Sequence, residues 1–121
     1  VAHALKGETS QTRIVALEPA SSPMLTTGTP GRHHVEGIGT GFVPPLLDPA
    51  FYDEARTVDE AEARTMARRL AREEGIFAGV SSGLNVVGAL QLARELGEGH
   101  TVVTVACDTG LKYLAGDLYE F

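Results

Sequence analysis

The feature that most constrains this chain is a set of short runs that offer water no polar face, alternating with helical periodicity. TVVTVA (101–106) is β-branched almost throughout, and IVALEP (14–19) is an apolar run stopped by Pro19. A strand with no polar alternation is buried on both sides, as in a sheet covered by helices. EARTV (54–58) reads as a further strand. A helix begins after Asp59, with Asp59 and Glu62 in the spacing of a capping box. Ala63, Met66, Ala67, Leu70 and Ala71 then repeat at the i, i+3, i+4, i+7, i+8 spacing of one buried face. Gly75 is placed to cap its end. IFAGV (76–80) reads as a short buried segment leading to Ser81-Ser82-Gly83 and a second helix of about 15 residues. That helix is apolar on most sides, through Leu84, Val86, Val87, Leu90, Leu92 and Ala93, so it should be covered by other elements. Strands alternating with helices imply an α/β fold, a three-layer parallel sheet with flanking helices. Ligands of such sheets bind beyond the carboxyl ends of the strands, which here carry Glu18-Pro19 and Asp108-Thr109-Gly110.

The remaining segments are less regular. Residues 1–7 read as the tail of a helix ended by Gly7, followed by the polar loop ETSQTR. Residues 19–50 are rich in Gly, Pro, Ser and Thr and show no periodicity, and a loop of that length inside a compact domain is usually functional. The first residue is Val1 rather than Met, with a helical register under way, which reads as the middle of a longer protein. No boundary divides the 121 residues, which suit one domain. A net charge of −6, with Lys6 and Lys112 the only lysines, argues against a nucleic-acid surface. No apolar run reaches the length of about 18 residues expected of a membrane span, and no secretory signal opens the chain. Cys107 is the only cysteine, so no internal disulfide forms, which suits a reducing cytoplasm.

Several residues invite chemical readings. His33-His34 are two adjacent side chains with no third ligand in a zinc spacing, and read as polar loop residues. Cys107 ends an apolar run without a histidine motif beside it, and reads as a small buried hydrophobe. Lys112 has the nucleophile's chemistry but the surroundings of a surface segment. Gly37, Gly39 and Gly41 permit positive φ and close backbone approach, for which ligand contact and turn chemistry stand as equal readings. Ser81 and Ser82 open a helix, where a hydroxyl serves either as a cap or as a partner for something flat and polar at the helix end.

The ordered set VALEPASSPMLTTGTPGRHHVEGIGTGFVPPLLD, EEGIFAGVSSGLNVVGALQLA and VVTVACDTGLKYL resembles the C-terminal part of the cysteine synthase (O-acetylserine sulfhydrylase) family. These are pyridoxal 5′-phosphate enzymes of fold type II, the tryptophan-synthase-β-like fold. The resemblance runs from about Ile14 to Phe121, and its specificity lies in the order of the motifs. It implies that 1–121 are the C-terminal part of the cofactor-binding large domain. It implies further that Ser81, the first serine of SSG, hydrogen-bonds the pyridine nitrogen of the cofactor, with Ser82 capping the helix. Gly37, Gly39 and Thr40 match an active-site loop and would contact the amino-acid substrate, while Asp108 and Tyr113 match a supporting motif.

The implied activity of the intact enzyme is β-replacement on an activated serine, O-acetylserine and sulfide giving cysteine and acetate. The family's Schiff-base lysine lies far upstream of the matched motifs and has no counterpart here, nor has its phosphate-cradling loop, so the chain supplies no catalytic residue and should be inactive alone. Its expected partners are the N-terminal remainder of the enzyme, a second subunit, and the C-terminal tail of serine acetyltransferase, which family members dock. The sequence departs from the pattern at GLN, where GAA is commoner, and at ACDTG, where PD.G is commoner. Those departures leave room for a cystathionine β-synthase or an O-phosphoserine-using relative, and a non-catalytic scaffold on the same fold is the reading from another class.

Overall fold

The computed structural model describes residues 1–8 and 11–120. Thr9 and Ser10, within the expected ETSQTR loop, and Phe121 lie outside the described residues.

Two parallel strands form the sheet among the described residues. β1 (Val15–Pro19) pairs with β2 (Glu54–Val58) in the register Val15 to Glu54 through Pro19 to Val58. Parallel pairing requires a long crossover, and residues 20–53 supply it. α1 (Ala2–Glu8) precedes the sheet, and Gly7 lies within it rather than ending it. The crossover contains a helix that no periodicity announced, α2 (Met24–Thr27), just after Pro23. Its cap comes from seven residues upstream. The buried carboxylate of Glu18 accepts from Leu25 N at 2.7 Å, Thr26 N at 2.9 Å and Thr26 Oγ1 at 2.8 Å. Those donors satisfy a charge that would otherwise be costly to bury, and no local sequence pattern encodes a cap so distant.

α3 (Glu60–Glu73) starts as its sequence dictates. The Asp59 carboxylate accepts from Ala61 N at 2.8 Å and Glu62 N at 3.1 Å, satisfying first-turn donors. At the far end Glu74 is the cap residue, and Gly75 turns left-handed at φ +70° one position beyond it. The Ile76 amide then returns to Leu70 O at 2.9 Å, the bond that closes such a helix end. Ala63, Ala67 and Leu70 are buried as their spacing predicts.

α4 (Val80–Leu96) begins earlier than expected, with Gly79 as its N-cap and no side chain capping it. It lies against α3 at Gly83, where an added Cβ would run into the Ala63 carbonyl oxygen, and against β1 at Gly88, which meets the Leu17 side chain. Val58, Ala63, Ala67, Val80, Leu84 and Val87 form one core, joined by Val35 from the crossover and Leu118 from the tail. The tail is pinned by Arg68 Nε, which donates to Leu118 O at 2.6 Å, and by the Phe77–Tyr119 ring pair at 4.7 Å.

Two expectations about burial are overturned. Residues 101–107 form no strand, and Val103 is 84% exposed. β propensity reports how a residue fits a covered sheet, and among the described residues β1 and β2 pair only with each other, leaving 101–107 no strand to join. In IFAGV, Ala78, Gly79 and Val80 are buried while Ile76 and Phe77 are exposed.

Candidate functional site

The site is built at the start of α4, where the segment 105–110 runs back along the chain entering the helix. Gly110 N donates to Phe77 O at 2.9 Å, and Ala78 and Thr109 form an antiparallel bridge. Gly79 N donates to Asp108 Oδ1 at 3.2 Å, and the hydroxyl of Tyr113 donates to Asp108 Oδ2 at 2.8 Å. Only glycine fits at 79, since a Cβ there would lie 2.6 Å from Asp108 Oδ1 and against the Tyr113 ring. Burial, followed by the bond to Asp108, pushes the Tyr113 phenol up to about 12, so it stays a neutral donor. Asp108 and Tyr113 thus brace the entry to α4. Lys112 Nζ lies 3.5 Å from Asp108 Oδ2 with its side chain mostly exposed, and Lys6 Nζ is paired with Asp53 at 2.6 Å.

The two serines are buried and differ in what they touch. Ser82 does not cap the helix: it sits inside the first turn, and its Oγ accepts the Cys107 amide at 2.9 Å. Ser81 is 6% exposed, and its hydroxyl takes no partner among the described residues. Among the described residues no buried side-chain oxygen or nitrogen is left without a partner, so this hydroxyl keeps access to the surface and is open to a bound group. Cys107 is exposed rather than a buried hydrophobe, because the run that carries it has no strand beside it. Asn85, which sequence reasoning did not single out as a functional residue, donates from Nδ2 to Val105 O at 2.9 Å and to Cys107 Sγ at 3.3 Å. The available signal was its i, i+3 spacing from Ser82, which puts both on one helix face.

The glycine loop is left-handed at each expected position: Gly37 at φ +84°, Gly39 at +60° and Gly41 at +78°. His33 staples it from within. Its Nδ1 accepts the Val35 amide at 3.1 Å, so the proton sits on Nε2, which donates to Gly39 O at 2.6 Å. An added Cβ on Gly39 would strike the His33 ring. Thr40 Oγ1 donates to Phe42 O at 3.0 Å. Val35 and Ile38 pack into the same cluster as Val80, Leu84 and Tyr113, which anchors the loop to the core that carries the start of α4.

An uncapped helix end, the accessible hydroxyl of Ser81 and a glycine loop on a shared core form a surface suited to a flat polar ligand. Ser81 offers a neutral donor to a ring heteroatom. The end of α4 is electropositive and disfavours a further proton there. What these residues offer is a neutral hydroxyl at an open helix start, with Lys112 turned to Asp108.

Comparison with known proteins shows the family. A family profile described as "Pyridoxal-phosphate dependent enzyme" matches residues 1–108. The chain is 47% identical over 121 residues to a "Cysteine synthase" of Staphylococcus aureus, covering 100% of this chain and 39% of that protein. Among solved structures, an O-ureido-L-serine synthase superposes with a TM-score of 0.93 at 41% identity, over 98% of this chain and 38% of the other. A cysteine synthase from Entamoeba histolytica gives 0.94 at 36%, over 98% and 36%. The chain therefore spans about two-fifths of the length of the relatives it matches. With a family profile matched over most of its residues, on a parallel α/β core and a site of this form, the chain belongs to the pyridoxal-phosphate-dependent enzymes.

Proposed function

We propose that residues 1–121 are the C-terminal part of the cofactor-binding large domain of a cysteine synthase-like enzyme. The whole enzyme catalyses β-replacement on an activated serine, converting O-acetylserine and sulfide to cysteine and acetate. The observation that carries this reading is the hydroxyl of Ser81, without a hydrogen-bond partner among the described residues, on the uncapped start of α4. When bound, pyridoxal phosphate supplies the electron-withdrawing ring that labilises bonds at the substrate's α-carbon.

The chain's own residues have narrower tasks. Ser81 would hold the cofactor by donating a hydrogen bond from its hydroxyl to the pyridine nitrogen. Being neutral, it leaves that nitrogen unprotonated, where a carboxylate would favour a ring N–H. Gly37, Gly39 and Thr40 present backbone and a small hydroxyl to the amino-acid substrate, and His33 holds that loop in shape. Asp108 and Tyr113 fix the entry to α4. Lys6 and Lys112 are engaged with Asp53 and Asp108 and neither matches the family's anchoring lysine, so the chain alone is inactive. We place the enzyme in the cytoplasm, as a homodimer; the free thiol of Cys107 suits a reducing compartment.

The test is cysteine formation by the full-length enzyme from O-acetyl-L-serine and sulfide, with O-phospho-L-serine in a parallel arm. Cysteine from the first pair supports the reading; failure with both activated serines overturns it. Ser81→Ala should weaken cofactor binding by about 2–13-fold, the loss of one neutral hydrogen bond.

A further inference from the structure

We infer that Asn85 and Cys107 act as a pair of positioning residues for the hydroxyl of Ser81, holding the first turns of α4 at a fixed rotation. The inference rests on the reading of Ser81 as the cofactor's ring-nitrogen partner and deepens it.

The segment 105–110 accompanies the start of α4 in descending register. Phe77 meets Gly110, Ala78 meets Thr109 and Gly79 meets Asp108, in each case through the backbone of the α4 side. Past Gly79 the chain is helical and its backbone no longer faces the segment, so side chains take over. Ser82 Oγ holds the Cys107 amide at 2.9 Å. One turn on, Asn85 Nδ2 spends one hydrogen on Val105 O at 2.9 Å and the other on Cys107 Sγ at 3.3 Å. Ser82 and Asn85 are three residues apart and share a face, so together they fix the rotation of α4 about its axis. Ser81 is about 100° around the helix from Ser82, off that face, and its hydroxyl has no hydrogen-bond partner among the described residues.

Rotation matters more than translation for such a group. A side-chain oxygen lies roughly 3–4 Å from the helix axis, so a 20° roll moves it by about 1 Å, enough to break a hydrogen bond of ordinary length. Two chemical features make the grip possible. Residue 107 must carry an N–H for Ser82 to accept, and residue 85 must carry a two-hydrogen donor to reach both the Val105 carbonyl and the sulfur. In this chain Cys107 and Asn85 meet both requirements. Proline at 107 would remove the donor that Ser82 uses, and alanine at 85 would remove the amide. The two residues touch each other, which makes them one device.

The experiment uses the full-length enzyme and the variants Ser81→Ala, Asn85→Ala, Cys107→Pro and Asn85→Ala/Cys107→Pro. Two readouts are independent of turnover: hydrogen exchange at the residue-107 amide in the apo-protein, for the variants that keep an N–H there, and the chemical shift of a 15N-labelled ring nitrogen after loading. Asn85→Ala should speed exchange at Cys107, weaken cofactor binding about 3–10-fold, and move the ring-nitrogen signal in the direction Ser81→Ala moves it, but less far. The double variant should be little worse than the worse single one, because both remove the same grip. If Cys107→Pro does not fold, Cys107→Ala replaces it, keeping the amide and removing the sulfur, with a smaller effect expected. If Ser81→Ala shifts the ring nitrogen while the variants at 85 and 107 leave signal and affinity unchanged, the positioning role is overturned and the Ser81 reading stands. If Ser81→Ala leaves the ring nitrogen where it was, both fall.

Discussion

Gly83→Ala should destabilise the protein, although alanine is the better helix former. Gly83 lies in the first turns of α4 where the helix meets α3, and both Ala63 and Ala67 are fully buried beneath it. A Cβ built on Gly83 collides with the Ala63 carbonyl oxygen and comes within 2.8 Å of the Ala67 amide nitrogen. Both obstacles are backbone of a regular helix, so no side chain can rotate away; α3 and α4 must part by roughly 1 Å to restore normal contact. Overpacking of this kind costs roughly 1–3 kcal/mol, with the upper half expected where backbone is the obstacle. Helix propensity returns up to about 1 kcal/mol, leaving a net loss of about 1–2 kcal/mol. With a slope near 2 kcal/mol per molar urea, the unfolding midpoint should fall by about 0.5–1 M. Gly7→Ala is the matched control: it lies within α1 with nothing within 4 Å of the added Cβ, so only the propensity gain applies. The assay is urea unfolding of the full-length enzyme followed by far-UV circular dichroism. A Gly83→Ala midpoint equal to or above the parent's would refute the close-approach argument, whatever Gly7→Ala does.

Asp59→Ala should cost about 1 kcal/mol, since its carboxylate satisfies two first-turn donors of α3; Asp59→Ser should recover most of that in the same unfolding assay. The ion network of Glu54, Arg56 and Glu95 makes stability depend on acid. The bonds from Arg56 hold both carboxyls below the ordinary value of 4.5, so their contribution is present above that pH and is lost as pH falls through the carboxylate range. Arg56→Met should flatten that part of the midpoint-against-pH curve between pH 6 and 3, and an unchanged curve would show that the network is inert. The 121-residue chain expressed alone should self-associate, because Val103, Val105, Leu111 and Leu114 stand exposed beside a segment without a strand partner. Light scattering at several concentrations would contradict this if it gave a constant 12.8 kDa.

What the sequence made legible was what neighbours along the chain determine. Asp59, the 63–66–67–70 stripe and Gly75 each act within a turn or two, and α3 appears where they put it. EARTV matches β2 residue for residue, and Val15–Pro19 falls inside IVALEP. TVVTVA failed as a strand for the complementary reason. Its β-branched composition describes an environment between other strands, and composition cannot supply the strands that make the environment. α2 escaped because its cap is the carboxylate of Glu18, brought over it by the strand that ends there.

The site divides along the same line. The glycines of the 37–41 loop were legible because positive φ is a property of the residue itself. The roles of the two serines were only half legible, because a serine near a helix start has one local use, the cap, and neither serine has it here. Ser82 is claimed by a backbone amide 25 residues away, and that contact exists only because residue 107 is not proline. Once Ser82 and Asn85 are committed to the 105–107 segment, Ser81 is the hydroxyl at the start of α4 that has no hydrogen-bond partner among the described residues. Its availability follows from what its neighbours grip, which a motif of two serines and a glycine does not record.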